Sequence, residues 1–134
     1  MKKLTEDETI DILLLHFEKE GWNVDSYCKG QKRGCDIIVS KGETQLLIEV
    51  KGAKAGANSP TKKREHFDGG QIKTHFGRAI IKALEDKTKY PNAIVAIAHP
   101  DDASIRSTIG NLIPYLKEMG IKHFWVSEAE VIEQ

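Results

Sequence analysis

The chain lacks any apolar stretch approaching the ~20 residues of a membrane span; its longest apolar runs are Ile12–Leu15 and Ala93–Ala98. Met1-Lys2-Lys3-Leu4 leads straight into acidic residues with no apolar signal-peptide core, so the expected location is cytoplasmic and no membrane association is expected. Cysteine is scarce. Cys28 and Cys35 sit seven apart, with no His/Cys group beside them at zinc-ligand spacing. In a reducing compartment both are expected to stay reduced, as cross-strand neighbours in a hairpin. No glycine-rich phosphate loop precedes a Lys-Ser/Thr pair, so no nucleotide cofactor is expected. No Ser or Cys has a base partner in sequence, which leaves acyl transfer unsupported. Net charge is missing as well: 20 Lys+Arg balance 20 Asp+Glu. Taken whole, that argues against a generic polyanion binder.

What is present is an ordinary globular composition, 40% hydrophobic and 30% charged over 134 residues. That length is one domain's worth, read here as residues 1–134, and buries about two thirds of its unfolded surface on folding. The zero charge conceals a pattern: residues 1–49 carry −3, residues 50–89 carry +6 and residues 90–134 carry −3. A basic middle between acidic ends is the first functional hint.

Thr5-Glu6-Asp7-Glu8 fits a capping box, and Ile10, Leu13, Leu14 and Phe17 follow helical spacing to Gly21. The spacing predicts a helix over 6–20, then strands over 22–28, 36–40 and 45–51, separated by turns at 29–34 and 41–43. Residues 52–67 fit no period and read as a long exposed loop, a length that tends to be functional or mobile. A second helix opens at Asp68 and runs to about Lys87. The wholly apolar 93–98 is a strand covered on both faces. A third helix starts at Asp102 or Ser104 and is kinked or restarted by Pro114, and Ile121–Val126 is a fifth strand. Ser127-Glu128-Ala129-Glu130 repeats the capping pattern and predicts a last short helix. The fold class is α/β, with helices flanking a mixed sheet in the order α-β-β-β-α-β followed by a C-terminal α-β-α.

Side chains alternate along a strand, so Gln45, Leu47, Glu49 and Lys51 share one face. Glu49 and Lys51 lie roughly 7 Å apart, two rises of ~3.3 Å. Charges on a face that begins apolar require either a partner or an opening to solvent. Counting outward from Gly42, Asp36 is six residues back and Glu49 seven forward, so the hairpin brings the two carboxylates together. Such a pair, with the Val50 carbonyl as a third oxygen, suits a hard cation, Mg²⁺ or Mn²⁺. A metal there lowers the pKa of water and stabilises charge on a phosphoryl oxygen, and Lys51 is placed to orient the water or bind phosphate.

Asp36, twelve residues, then Glu49-Val50-Lys51-Gly52 resembles the PD-(D/E)xK nuclease superfamily, which includes restriction endonucleases and archaeal-type Holliday junction resolvases. Gly34-Cys35-Asp36-Ile37-Ile38-Val39 resembles the strand entry of its restriction-type members, with Cys35 where many have Pro. The resemblance implies a restriction endonuclease-like αβββαβ core over residues 6–98. It also implies a Mg²⁺-dependent deoxyribonuclease, expected to be an endonuclease leaving a 5′-phosphate, with Asp36 and Glu49 on the metal and Lys51 assisting the water. Some family members add an acidic residue from the first helix, which would be Glu8, or a Gln opening the second helix, which would be Gln71. A capping box is the ordinary reading of Glu8, and for Gln71 it stands level with the functional one.

Gln71, His75, Arg78 and Lys82 fall on one helix face. A solvated face is the ordinary outcome; a phosphate-contacting ridge is the functional one. Lys51, Lys54, Lys62, Lys63 and Arg64 occur with no acid between Val50 and Arg64, a cationic loop suited to DNA as partner. A homodimer is expected if duplexes are cut, since one such site cuts one strand. Two rivals stand beside the nuclease: a non-cleaving nucleic-acid-binding module and an interaction or scaffold protein on the same fold. His16, His66, His99 and His123 show no metal-ligand spacing, and His99 reads as a turn residue.

Overall fold

The computed structural model describes residues 2–30, 34–56 and 67–134. The elements run α1 (Glu6–Lys19), β1 (Asn23–Tyr27), β2 (Ile37–Lys41), β3 (Thr44–Val50), α2 (Gly69–Lys89), β4 (Ile94–Pro100), α3 (Ala103–Ile109), α4 (Ile113–Glu118), β5 (Ile121–Val126) and β6 (Val131–Glu133). A 3-10 turn, Gly110–Leu112, joins α3 to α4. Pro114 lies in the first turn of α4, where a missing N–H costs nothing, so the helical segment restarts there.

The six strands lie side by side in chain order. β1, β2 and β3 form an antiparallel meander; β3, β4 and β5 are parallel; β6 returns antiparallel to β5. The crossovers β3–α2–β4 and β4–α3–α4–β5 step in the same direction across the sheet. The right-handed rule for such crossovers then puts α2, α3 and α4 on one face. That leaves the other face to α1. The core divides accordingly. Leu47, Val95, Ile97, Ile121 and Trp125 pack under Ile72, Phe76, Ala83 and Ile105. Ile37, Val39, Leu46, Ile48 and Phe124 pack against Ile10, Leu13 and Phe17. The continuous apolar runs of β3 and β4 are the mark of strands covered twice. No described helix is long and apolar enough to cross a membrane.

The C-terminal segment departs from expectation. Residues 127–130 form a turn instead of capping a helix. The Ser127 hydroxyl accepts from the Ala129 and Glu130 N–H groups at 3.3 and 3.1 Å, and the Ser127 N–H donates to the Glu130 carbonyl at 2.9 Å. The two bonds to the hydroxyl are those an N-cap side chain makes. The free edge of β5 decides between strand and helix, pairing Phe124, Trp125 and Val126 with Glu133, Ile132 and Val131. Cys28 and Cys35 do not form a disulfide.

Gly52 marks the close approach of two chain segments. A Cβ there would sit 2.5 Å from the Glu6 backbone nitrogen and 2.9 Å from the Thr5 carbonyl carbon. The next residue, Ala53, donates its N–H to the Leu4 carbonyl at 2.7 Å. The glycine after Lys51 therefore lets the start of α1 rest on the end of β3. Gly52→Ala is expected to push α1 outward and cost about 1–3 kcal/mol, since the obstruction is backbone and has no rotamer to yield. A urea melt checks it, and an unchanged midpoint would contradict this packing.

Candidate active site

The site lies where β2 begins and β3 ends. Ile37 pairs with Ile48 and Ile38 with Leu47, so the residue before β2, Asp36, comes opposite Glu49. Ile38 and Leu47 face the layer of α2, and alternation puts Asp36 and Glu49 on that face. The Asp36 Oδ2 accepts the Val50 N–H at 2.8 Å, and its backbone carbonyl accepts the Cys28 N–H at 2.9 Å. Burial raises the Asp36 pKa, while the Val50 N–H, the Lys51 charge and a hydrogen bond from Glu49 pull it back.

Glu49 is only 5% exposed. Burial, then a hydrogen bond with Asp86, then the negative charge of Asp36 push its carboxyl up to about 9. Its Oε2 is buried with no hydrogen-bond partner, as is the Oδ2 of Asp86. Asp86 lies on α2, is 4% exposed and has Lys82 Nζ at 3.5 Å. The partly buried Cys35 completes the cluster, with its Sγ 3.3 Å from the Ile37 carbonyl and 3.6 Å from that of Ile48. Burial and the charge of Glu49 push this thiol well above its usual range. Donor atoms of Cys35, Glu49 and Asp86 all lie within 4.8 Å of one another, a group that could hold a metal ion.

Asp86 was legible in principle. Ile72, Phe76, Ala79, Ala83 and Asp86 are the buried stripe of α2, so an acid occupies an apolar position of a clear helical period.

Lys51 emerges from the end of β3 with its N–H donated to the Ala98 carbonyl at 2.9 Å. It lines a cleft with Glu6, Lys54, Phe67 and His75. Burial and then the charge of Asp36 push Glu6 up to about 7, against the pull of Lys51. Glu6 is therefore the acidic group that α1 brings to the site. Glu8 is spent elsewhere: its Oε1 accepts the Thr5 N–H at 2.9 Å and its Oε2 pairs with Lys2 at 2.6 Å. That bonding, the Lys2 partner first, holds its carboxyl down at about 2. Two residues along a helix is a rotation of about 200°, so Glu6 and Glu8 cannot share a face.

Gln71 is exposed, and its side chain accepts the Asp68 N–H at 3.0 Å within a capping box. The expected basic stripe divides three ways. His75 is half-buried against Phe67, ring centroids 4.4 Å apart, with its pKa lowered by burial and then by the Lys51 charge. Arg78 is exposed. Lys82 reaches Asp86, so its charge is partly committed inward. Lys62, Lys63, Arg64 and His66 lie outside the described residues.

A second missed feature underlies the cleft. His99 belongs to β4, not to a turn, and is 2% exposed. Its Nδ1 lies 2.8 Å from the Nε2 of fully buried His123 on β5. The pair sits between Phe76 and Trp125. The sequence placed the strand end too early, because Pro100 resembles a terminator; here it closes the strand itself.

No protein-family model and no curated protein matches the chain. Among solved structures, it resembles an XisH family protein from Nostoc punctiforme, at 15% sequence identity and a TM-score of 0.54. The similarity covers 89% of this chain and 90% of the other. The six-stranded mixed sheet between helical layers is a restriction endonuclease-like fold.

Proposed function

We propose that the chain is a metal-dependent deoxyribonuclease whose centre is Asp36, Glu49 and Lys51, with DNA as its substrate class. One observation carries the reading. The β2–β3 register sets two carboxylates opposite each other at the end of a buried hairpin, with Lys51 next on that face and opening into a cleft. The residues fit a divalent ion: Glu49 keeps a buried oxygen without a partner, Asp36 commits Oδ2 to Val50, and the Val50 carbonyl lies between Glu49 and Lys51 in the chain. A hard cation favours this all-oxygen set. Mg²⁺ or Mn²⁺ held by Asp36, Glu49 and the Val50 carbonyl would supply Lewis acidity, lowering the pKa of water and drawing charge from a phosphoryl oxygen.

The chain's own groups do the rest. Lys51 is a point charge at the cleft mouth, suited to hold a phosphoryl oxygen or orient the attacking water. Lys54 and His75 line the same cleft and suit the flanking phosphates. Glu6 shares the cleft with Lys51 and sets the local field. Lys51, Lys54 and His75 bring part of the basic stretch over residues 50–89 to the site, while Glu6, Asp36 and Glu49 come from the acidic residues 1–49. Arg78 extends the cation set outward from the cleft, with Lys62, Lys63 and Arg64 as further phosphate contacts. A homodimer would supply the second site for duplex cleavage.

Nicking of supercoiled plasmid in Mg²⁺ tests the reading. Lys51→Ala is expected to slow nicking roughly 10²–10³-fold, the scale for loss of one pre-placed electrostatic contact. Equal nicking by wild type and Lys51→Ala would remove the catalytic reading of this centre, and DNA binding without nicking would leave a non-cleaving nucleic-acid-binding module. Absence of both nicking and DNA binding at low salt would leave a scaffold.

A further inference from the structure

Glu49 of the proposed Mg²⁺ site, the outer site, also belongs to an inner, buried donor cluster with Asp86 and Cys35. Glu49 and Asp86 are each more than nine-tenths buried, and each keeps one oxygen with no hydrogen-bond partner. Leaving two such oxygens unsatisfied costs free energy that native sites rarely forgo without a ligand. The third donor is sulfur, and sulfur changes which ion the cluster suits.

We propose that Cys35, Glu49 and Asp86 form a site for a thiophilic transition-metal ion of the Zn²⁺ class, sharing Glu49 with the Mg²⁺ site and so competing with it. The ligand set stands on the geometry; the competition rests on the nuclease reading.

The chemistry separates the two ions. Mg²⁺ takes oxygen ligands and retains waters, and it gains little from a thiolate. Zn²⁺, Co²⁺ and their neighbours bind thiolate strongly and accept carboxylate oxygens beside it. A tetrahedral ion with Zn–S of about 2.3 Å and Zn–O of about 2.1 Å places its donors roughly 3.5 Å apart. The three donors already lie within 4.8 Å of one another, so side-chain rotation suffices to close the set. The other polar contacts are few. Lys82 touches Asp86 on Oδ1, leaving Oδ2 available, and Cys35 Sγ lies against the Ile37 and Ile48 carbonyls. Binding forms one metal–sulfur and two metal–oxygen bonds and releases the thiol proton, and the Glu49 proton where present, to solvent. Because Glu49 can serve only one ion at full strength, the inner ion withdraws a ligand from the outer site.

Titration of the full chain with Co²⁺ tests this. Wild type and Cys28→Ser are expected to show a near-ultraviolet sulfur-to-cobalt charge-transfer band, removed by Zn²⁺. Cys35→Ser is expected to lack the band. Zn²⁺ affinity, measured by competition, is expected to fall at least ~10-fold in Asp86→Asn, the scale on which even an outer-shell partner acts. No band in wild type, or a band that survives in Cys35→Ser, overturns the proposal. Should Cys35→Ser not fold, zinc-edge X-ray absorption of the Cys28→Ser chain decides instead: a sulfur neighbour supports the site, and oxygen and nitrogen neighbours alone overturn it. Nicking in Mg²⁺ is scored separately. Nicking without the band keeps the nuclease and removes the inner site; the band without nicking does the reverse. Where both are present, Zn²⁺ is expected to inhibit nicking, with the half-inhibitory concentration at least ~10-fold higher in Asp86→Asn.

Discussion

Glu49→Gln is expected to melt higher than wild type at pH 8 while nicking no DNA. The folded Glu49 carboxyl is pushed up to about 9, first by burial, then by the bond to Asp86 and the charge of Asp36, from an ordinary value of 4.5. A group raised on folding gives stability that is fully present below its unfolded pKa and is lost as pH rises through its folded pKa. The window is therefore pH 4.5 to about 9. Each unit of difference is worth about 1.36 kcal/mol. Allowing for a site that opens to solvent on one side, the wild-type deficit at pH 8 is roughly 2–4 kcal/mol. Glutamine carries no charge to bury, and its amide can donate to Asp86 as the protonated carboxyl does. For a chain this size the gain corresponds to roughly 5–15 °C in Tm. Thermal melts at pH 5 and pH 8 check the result. The two chains should converge at pH 5; a gap of equal size at both values would remove the electrostatic explanation. A buried carboxyl that costs stability, two residues before the cleft residue Lys51, is what a functional site predicts.

The buried histidine pair is expected to set the opposite limb. His99 and His123 have pKa values lowered from the ordinary 6.5, His99 by a wide margin and His123 to about 3, in both cases chiefly by burial. Their folded pKa is depressed, so the stability they contribute is present above pH 6.5 and lost as pH falls toward the folded values. Each must charge in a site where the other imidazole is 2.8 Å away. The pair should therefore take stability from the wild type as pH falls below 6.5, offset down to about pH 4.5 by the raised Glu49 and Glu6, and His123→Gln should remove roughly 2–4 kcal/mol of that loss between pH 6.5 and 4. Urea melts across this range measure it, and parallel acid limbs for the two chains would contradict it. With Glu49, and with Glu6 pushed up to about 7, lowering stability on the alkaline side, the free chain should be most stable between about pH 5 and 6.5.

The hairpin geometry was legible in the residues alone, because it depends only on counting. Once Gly42 is the turn, alternation and register put Asp36 opposite Glu49 and leave Lys51 on the same face. The choice between Glu6 and Glu8 was not legible. Both are acids in the first turn of α1, and only the seating of that helix on Gly52 turns Glu6 toward the site. Asp86 and the His99–His123 contact lie further still from local information. Each joins residues at least 24 positions apart, through a helix or a parallel crossover whose lateral placement no local pattern encodes. The last strand failed for a related reason. Its turn makes the hydrogen bonds of a helix cap, and the outcome depended on a free sheet edge elsewhere in the chain.

The sequence by itself thus determined the elements through β5, the mixed sheet and the meeting of Asp36, Glu49 and Lys51. All three follow from periods of 3.6 and 2 and from one tight turn, and such signals are local. The tertiary structure alone decided which acid of α1 faces the cleft, what backs Glu49, and how two distant histidines come to share a hydrogen bond. Those depend on how layers stack. Burial, which shifts the Glu49 carboxyl to about 9, arises only when a helix closes over a strand.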